Sequence, residues 1–167
     1  MRIIKKFLSF VFTRIALLRV GAYKSKPKVN FYSRFTYNTF LGKNCHFNGM
    51  IIRGNAKVTI GDNFHSGKDI VMINSYHKYD GGNAIPYDTK QMIDKDILIE
   101  DNVWIGDRVT ILGGVTIGEG AIIQAGAVVV NSIEKFAIAG GNPAKVFKKR
   151  DIESYMKLKT NKDLNAR

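Results

Sequence analysis

A six-residue repeat between residues 99 and 134 constrains the fold of this chain more than any other feature. From Ile99 the sequence divides into the hexads IEDNVW, IGDRVT, ILGGVT, IGEGAI, IQAGAV and VVNSIE. The first position is always aliphatic and the fifth is aliphatic or alanine: Ile99, Ile105, Ile111, Ile117, Ile123 and Val129, then Val103, Val109, Val115, Ala121, Ala127 and Ile133. This period matches neither an α-helix nor an alternating strand. It predicts a solenoid in which each hexad is one short strand.

Three hexads would close one triangular coil of about 18 residues, and stacked coils would bury a column of aliphatic side chains. Glycines near the strand ends allow the backbone to turn between faces: Gly106, Gly118 and Gly126. Weaker traces of the repeat occur at residues 41–46 and around Ile60. Ile60 and Ile99 are 39 residues apart, which is six hexads plus three residues. The register is therefore broken once, and we expect residues 75–96 to form a loop expelled from the solenoid.

The charge of the chain is strongly positive and unevenly placed. Of 167 residues, 26 are Lys or Arg and 14 are Asp or Glu, a net charge of +12. No acidic residue precedes Asp62, so the surplus lies in the N-terminal third and favours an anionic partner. The length fits one domain. The single cysteine, Cys45, excludes a disulfide framework and a thiolate metal cage, and no metal site is predicted.

Residues 1–20, MRIIKKFLSFVFTRIALLRV, mix apolar and basic side chains. Their longest uncharged run, residues 7–13, is far below the ~20 residues of a membrane span. Two interpretations stay open: a helix packed on the body or on a neighbouring subunit, or a basic amphipathic helix on an anionic membrane. We divide the chain into a basic arm (1–30), a solenoid domain (31–147) and a C-terminal helix and tail (148–167). We expect a cytoplasmic protein, at the inner face of the membrane if the arm binds lipid.

Three stretches carry a family resemblance: NSYHKYDGG at residues 74–82, IEDNVWIGDRVTILGGVTIGEGAIIQAGAVV at 99–129, and AGGNPAKVFKKR at 139–150. Through them the chain resembles the hexapeptide-repeat acyltransferases. It looks closest to the single-domain branch of galactoside, maltose, streptogramin and polysaccharide acetyltransferases. The resemblance implies a mostly β protein with a left-handed parallel β-helix. It also implies a homotrimer that binds acetyl-CoA and a saccharide acceptor between adjacent prisms.

The resemblance assigns His77, in the expelled loop, as the catalytic general base. An imidazole can accept the proton of a sugar hydroxyl as that hydroxyl attacks a thioester carbonyl. Such a direct transfer requires no acyl-enzyme nucleophile, so Cys45 is expected to be a core or corner residue. The other two histidines, His46 and His65, are expected to be structural or surface groups.

The resemblance also implies positions for the two substrates. Acetyl-CoA would lie along an aromatic and small-residue wall and reach terminal cations that suit its phosphates. The cofactor-binding residues implied are Trp104, Gly106, Asp107, Ala125, Lys145, Lys148 and Arg150. The acceptor-binding residues implied are Asn48, Asn74 and Tyr76.

The function that follows is acetyl-CoA-dependent O-acetylation of a sugar hydroxyl in a bacterial-type surface polysaccharide or its precursor. Three alternatives stay open: N-acetylation of a nucleotide-linked amino sugar, inactivation of a streptogramin-type antibiotic, and a non-catalytic structural solenoid. A γ-type carbonic anhydrase is disfavoured, because the histidine spacings of 19 and 12 residues do not fit its zinc ligands. A nucleic-acid partner is not expected, since the sequence contains no nucleic-acid-binding motif.

Overall fold

The computed structural model describes residues 2–161, which form a parallel β-solenoid of about six turns with a helix at each end. The helices are α1 (Arg2–Leu17) and α2 (Ile152–Thr160). The strands are β1 Ala22–Tyr23, β2 Lys28–Val29, β3 Thr39–Leu41, β4 His46–Phe47, β5 Met50–Arg53, β6 Val58–Ile60, β7 His65–Ser66, β8 Ile70–Ile73, β9 Ser75–Lys78, β10 Asp88–Asp94, β11 Ile97–Ile99, β12 Trp104–Ile105, β13 Thr110–Leu112, β14 Thr116–Ile117, β15 Ile122–Ile123, β16 Val128–Val129, β17 Ala137–Gly140 and β18 Lys145–Lys149. The expected left-handed parallel β-helix is confirmed.

The solenoid strands stack into three sheets that form the faces of a triangular prism. Face A contains β1, β3, β6, β11 and β14; face B contains β2, β4, β7, β12, β15 and β17; face C contains β5, β8, β13 and β16. Pairing within each face is parallel, and β18 extends face B as an antiparallel end strand on β17. The chain visits faces A, B and C in turn on each coil, which is the arrangement that the six-residue period predicts.

The interior of the prism is filled by the two hexad columns. All twelve first- and fifth-position residues of the segment 99–134 are buried, so the predicted inward columns are confirmed. Toward the N-terminal end the filling becomes aromatic, where Phe47 contacts Phe35 and Phe64 at ring-centroid distances of 5.0 and 5.2 Å. Cys45 lies in the same core, and burial raises the pKa of its thiol to about 11.

An asparagine ladder supports the corner between faces A and B. Asn44, Asn63 and Asn102 have φ angles of 52°, 57° and 59°, a left-handed conformation that asparagine tolerates better than most residues. The Nδ2 of Asn44 donates to Oδ1 of Asn63, and the Nδ2 of Asn63 donates to Oδ1 of Asn102, each at 3.0 Å. The same place on three successive coils is therefore occupied by three similar segments: LGKNCH, IGDNFH and IEDNVW.

Residues 75–94 leave the solenoid as a β-hairpin at the edge between faces C and A. Its strands β9 and β10 form a separate two-stranded antiparallel sheet. At the base of the hairpin the backbone N–H of Lys95 donates to the carbonyl of Asn74 at 2.9 Å. Ile99 then pairs with Ile60 on the preceding coil. The chain resumes its coil where it left it, which explains the 39-residue spacing and confirms the expelled loop.

Helix α1 covers the N-terminal edge of the prism, whereas α2 lies beside its last coils, where Tyr155 contacts Phe136. Helix α1 lies on the free edge of β2, where the hydroxyl of Thr13 accepts a hydrogen bond from the N–H of Val29 at 3.1 Å. Helix α2 begins after Asp151, whose carboxylate accepts from the N–H of Ser154 at 3.0 Å. These contacts satisfy backbone groups that would otherwise be unpaired at a sheet edge and at a helix N-terminus.

Solenoid strands extend past both of the boundaries that the sequence suggested. Strands β1 and β2 already pair with β3 and β4, so the solenoid begins before residue 31. Strand β18 runs across the position 147–148, so face B continues into the segment assigned to the C-terminal helix. Residues 162–167 of the predicted tail lie outside the described residues.

Ile111→Ala is expected to lower the free energy of unfolding by about 2–5 kcal/mol, because it leaves a cavity in the buried column. Leu112, the next residue of β13, points out of the prism and is only half-buried. Leu112→Ala should therefore cost clearly less. Urea unfolding followed by circular dichroism measures both variants, and equal losses would contradict the inward column.

Candidate active site

The outer surface of face B carries a row of side chains that hold the same position on successive coils. Trp104 pairs with His65 on one side and with Ile122 on the other. The whole row is Lys28, His46, His65, Trp104, Ile122, Ile138 and Lys148. Trp104 points out of the prism, and 51% of its surface is exposed. The row therefore offers an open aromatic surface near its middle and a cation at each end.

Small residues lie beside Trp104 at the corner between faces B and C. A Cβ atom on Gly106 would come within 2.6 Å of the backbone nitrogen of Ala125 on the next coil, so only glycine fits there. The carboxylate of Asp107 accepts from the N–H of Lys68 at 2.8 Å, and its carbonyl accepts from the N–H of Gly126 at 2.8 Å. Four residues that the sequence assigned to the donor thus lie together on two adjacent coils.

The basic residues after the last coil divide between two locations. Lys145 and Lys148 are exposed on β18, opposite Gly140 and Ile138 of face B. Arg150 turns away from this surface: its Nε donates to the carbonyl of Gly120 at 2.6 Å, and its guanidinium lies 5.6 Å from the ring centroid of Tyr155 in α2. Burial lowers the pKa of Arg150. The structure therefore leaves Lys145 and Lys148 as the cations of this end of face B.

His77 lies on β9 of the hairpin and is exposed. Its ring stacks on that of Tyr87 at a centroid distance of 4.6 Å and an interplanar angle of 12°. This contact restricts the orientation of the imidazole plane without burying the side chain. The neighbouring Tyr76 stacks on Tyr79 at 6.2 Å, and the Nζ of Lys95 lies 5.8 Å from the Tyr76 ring.

Asp88 organises the part of the hairpin that supports His77. Its carboxylate accepts from the N–H of Lys90 at 2.8 Å, from the N–H of Asn83 at 3.1 Å and from the side-chain amide of Gln91 at 2.9 Å. The Lys90 and Asn83 hydrogen bonds hold the pKa of the Asp88 carboxyl below its usual range. Asp88 follows Tyr87 directly, so this network also positions the ring on which His77 stacks. The sequence pattern did not predict a role for Tyr87 or Asp88, because the loop has no periodicity that would mark them.

Two of the three residues assigned to acceptor binding, Asn48 and Asn74, have side chains that form hydrogen bonds between adjacent coils. Asn48 accepts from the side chain of Asn30 at 2.8 Å and donates to the carbonyl of Ser66 at 2.7 Å. Asn74 is fully buried and donates to the carbonyl of Ala56 at 2.7 Å. Both residues connect adjacent coils, and Asn74 anchors the base of the hairpin. Tyr76 is the one of the three that lies next to His77, and its role in acceptor binding stays a prediction.

A single chain does not bring His77 and Trp104 together. The hairpin that carries His77 leaves the prism at the edge between faces C and A, after β8 and before β11. Trp104 belongs to β12 in face B, which is the face opposite that edge. A site that uses both side chains therefore requires two copies of the chain.

His46 and His65 pair beside Trp104, a contact that was not predicted from the sequence. Their ring centroids are 5.6 Å apart. Partial burial lowers the pKa of both imidazoles, and the positive charge of Lys28 lowers both further. The pKa of His46 is also lowered by the charge of His65. The sequence contained a signal for this pair, since both histidines follow an asparagine of the corner ladder by two residues. Within residues 2–161 no group of three His, Cys, Asp or Glu side chains is arranged to hold a metal ion.

The free energy of unfolding is expected to fall as the pH is lowered from 7 to 5. The unfolded chain protonates its histidines near pH 6.5, whereas the folded chain keeps His46 and His65 neutral to a lower pH, so protons are taken up on unfolding. The variant His46→Gln/His65→Gln should show a flatter profile, and Lys28→Gln an intermediate one. Urea unfolding at pH 7, 6 and 5 measures this, and parallel profiles for all three proteins would contradict it.

Comparisons with known proteins agree with this architecture. A family model described as bacterial transferase hexapeptide (six repeats) matches residues 96–131. The structure is similar to that of a maltose O-acetyltransferase from Clostridium difficile 630, with 26% identity, a TM-score of 0.67, and coverage of 90% of this chain and 86% of that one. Among curated protein sequences no match to this chain is found.

Two further similar structures contain a bound ligand. A galactoside acetyltransferase in complex with coenzyme A is 25% identical, with a TM-score of 0.63 and coverage of 92% of this chain and 82% of that one. A hexapeptide-repeat acetyltransferase from Vibrio cholerae O1 biovar eltor, complexed with acetyl coenzyme A, is 25% identical, with a TM-score of 0.57 and coverage of 84% and 75%. The repeats and the solenoid of this chain are therefore similar to those of known acetyltransferases.

Proposed function

We propose that the chain is a hexapeptide-repeat acyltransferase, as its repeats and its similarity to solved acetyltransferases indicate, and that it transfers an acetyl group from acetyl-CoA to a sugar hydroxyl of a bacterial-type surface polysaccharide or its precursor. Three kinds of support converge. The similar solved proteins include maltose and galactoside acetyltransferases. Two similar structures contain coenzyme A or acetyl coenzyme A. The surplus of cations in the N-terminal third suits an anionic glycan.

The observation that carries the proposal is the position of His77 relative to Trp104. They lie on opposite sides of one prism, so a neighbouring prism that packs with its face B toward the hairpin would bring an imidazole to an aromatic surface. Three copies arranged about a threefold axis would form three such clefts, each with His77 from one chain and Trp104 from the next. We therefore propose a homotrimer with three active sites between subunits.

His77 would act as the general base in a direct transfer. Its imidazole accepts the proton of the acceptor hydroxyl while the hydroxyl oxygen forms a bond to the thioester carbonyl carbon. The carbon–sulfur bond breaks, and the protonated imidazole returns its proton to the thiolate that leaves. The products are the sugar ester and free coenzyme A, and His77 is regenerated neutral. The Tyr87 ring, stacked on His77, would hold the imidazole plane in position.

Face B of the second chain would bind the donor. Trp104 provides a flat apolar wall, and the Gly106–Ala125 corner lets a thin chain approach the backbone closely. Lys148 lies three strands from Trp104 in the row, which corresponds to about 14 Å at the usual strand spacing. An elongated thioester with phosphates at its far end fits a surface that is aromatic at one end and cationic at the other. Lys145 lies on the same strand as Lys148.

His77→Ala is expected to lower kcat by about 10²–10⁴ while the affinity for acetyl-CoA is nearly retained, because the base acts only in the chemical step. Trp104→Ala should instead raise the KM for acetyl-CoA, since it removes part of the donor wall. Asp80→Asn, an exposed position in the same hairpin, is the matched control and should be neutral. Release of free thiol from acetyl-CoA, with a panel of neutral and uronic-acid oligosaccharides as acceptors, measures all three.

Near-normal turnover of His77→Ala would overturn the assignment of the base. The product distinguishes the proposed ester from the alternative amide, because mild alkali removes an O-acetyl group and leaves an N-acetyl group intact. Transfer confined to amino sugars, with an alkali-stable product, would overturn the O-acetyl proposal. A folded protein that neither binds acetyl-CoA in calorimetry nor releases thiol would overturn the transferase function itself.

A further inference from the structure

Helix α1 packs on the solenoid through a mostly small and polar side, to which Phe12 adds a partly buried aromatic ring. The hydroxyl of Ser9 donates to the carbonyl of Val29 at 3.1 Å, and Thr13 both donates to that carbonyl and accepts from the Val29 N–H. Ala16 is buried in the core one turn further along. These residues, spaced three or four apart, define the side of α1 that faces the body.

The opposite side of α1 is apolar and uncovered. Its exposed large hydrophobic side chains are Ile3, Ile4, Phe7, Leu8, Phe10, Ile15 and Leu18, the last just beyond the helix C-terminus. Phe7 is 64% and Leu18 73% exposed. A helix that packs only on its own domain turns its large apolar side chains inward. Here Phe12 packs inward but most of the other large apolar side chains are exposed, which indicates that the outer side of α1 contacts something else.

The charges around this surface select the kind of partner. Lys5, Lys6, Arg14 and Arg19 surround or interrupt the apolar side, and no acidic residue occurs before Asp62. An isologous contact with a second copy of this end would place these cations against one another without a carboxylate to neutralise them. An anionic surface would instead attract all of them.

Aromatic residues extend the same surface onto the first coil. Tyr32, 53% exposed, lines a cleft together with Ile15, Leu18, Arg19 and residues 33–35. Tyrosine beside arginine, with apolar surface on one side and water on the other, is typical of the interface between lipid headgroups and acyl chains. The N-terminal end of the prism therefore combines apolar, aromatic and basic side chains on one surface.

We propose that the outer side of α1, together with Tyr32, binds the surface of a membrane rich in anionic phospholipid. Neither helix within residues 2–161 is long and apolar enough to cross a bilayer, so α1 would lie in the plane of the interface with its apolar side chains inserted. The inference rests on α1 and its surroundings, and does not depend on acyl transfer.

This orientation would place the hairpin near the lipid. Helix α1 covers the edge of β2 in the first coil, and the hairpin leaves the solenoid at the end of the third coil, after β8. Two coil spacings correspond to about 10 Å. His77 would therefore lie within reach of an acceptor that is attached to the same membrane, and a membrane-linked glycan becomes the favoured acceptor class.

Flotation of the full-length protein with vesicles tests the proposal. Vesicles of equal parts phosphatidylglycerol and phosphatidylethanolamine should carry the protein upward at about 0.1 M NaCl, and the bound fraction should fall at about 0.5 M NaCl. Vesicles of phosphatidylcholine alone should bind a much smaller fraction. Phe7→Glu/Leu18→Glu should reduce the bound fraction by about tenfold or more, because both side chains would insert. Leu158→Glu, at an exposed position of α2 at the other end of the solenoid, is the control and should float like the wild type.

Failure of the wild type to float, or equal flotation of the wild type and Phe7→Glu/Leu18→Glu, would overturn the proposal. Light scattering adds a second outcome. If the wild type does not float and this variant forms a smaller oligomer, the proposal is overturned and a second copy of the chain is the partner of α1. Thiol release with a soluble oligosaccharide should be unchanged in the variant. This readout separates a failure of membrane binding from a failure of the proposed acetyltransferase function.

Discussion

Burial of the two hexad columns is the interaction on which the rest of the structure depends. Each coil contacts only its neighbours, so the solenoid persists only where positions one and five of successive hexads are apolar and point inward. That requirement also fixes what points outward. Because position six is always outside the prism, Trp104, His65 and His46 form a row on face B that no local sequence contact would produce.

The triangular cross-section decides where chemistry can be placed. An insertion in the middle of a strand would break the parallel ladder, whereas one at a corner leaves the pairing intact. The hairpin accordingly leaves at the edge between faces C and A, and the Lys95–Asn74 hydrogen bond closes the coil beneath it. The aromatic surface lies on face B, on the opposite side of the prism. The same geometry that stabilises one chain thus separates His77 from Trp104, and it explains why we propose that the site is completed by a second chain.

The sequence predicted those features that a period can encode. It placed the buried columns, the expelled loop and the outward Trp104 correctly, because each follows from counting residues along a coil. It did not predict that Arg150 contacts α2 or that Asn74 is buried, since both depend on how the ends and corners pack. The hairpin has no period, so the Asp88 network and the Tyr87–His77 stack had no pattern to reveal them. For α1 the apolar residues surround most of the helix, and the contacts of Ser9, Thr13 and Ala16 identify the side that packs.

The division of the site between chains can be tested most directly by subunit complementation. Chains carrying His77→Ala and chains carrying Trp104→Ala, with different affinity tags, are co-expressed, and the oligomers that carry both tags are purified. At an acetyl-CoA concentration well below the wild-type KM, both parent variants should release little thiol. In a mixed trimer one of the three clefts pairs an intact His77 with an intact Trp104 of the neighbouring chain, so we predict about one third of the wild-type thiol release under that condition. Mixed trimers that are no more active than the two parent variants would contradict a site shared between chains.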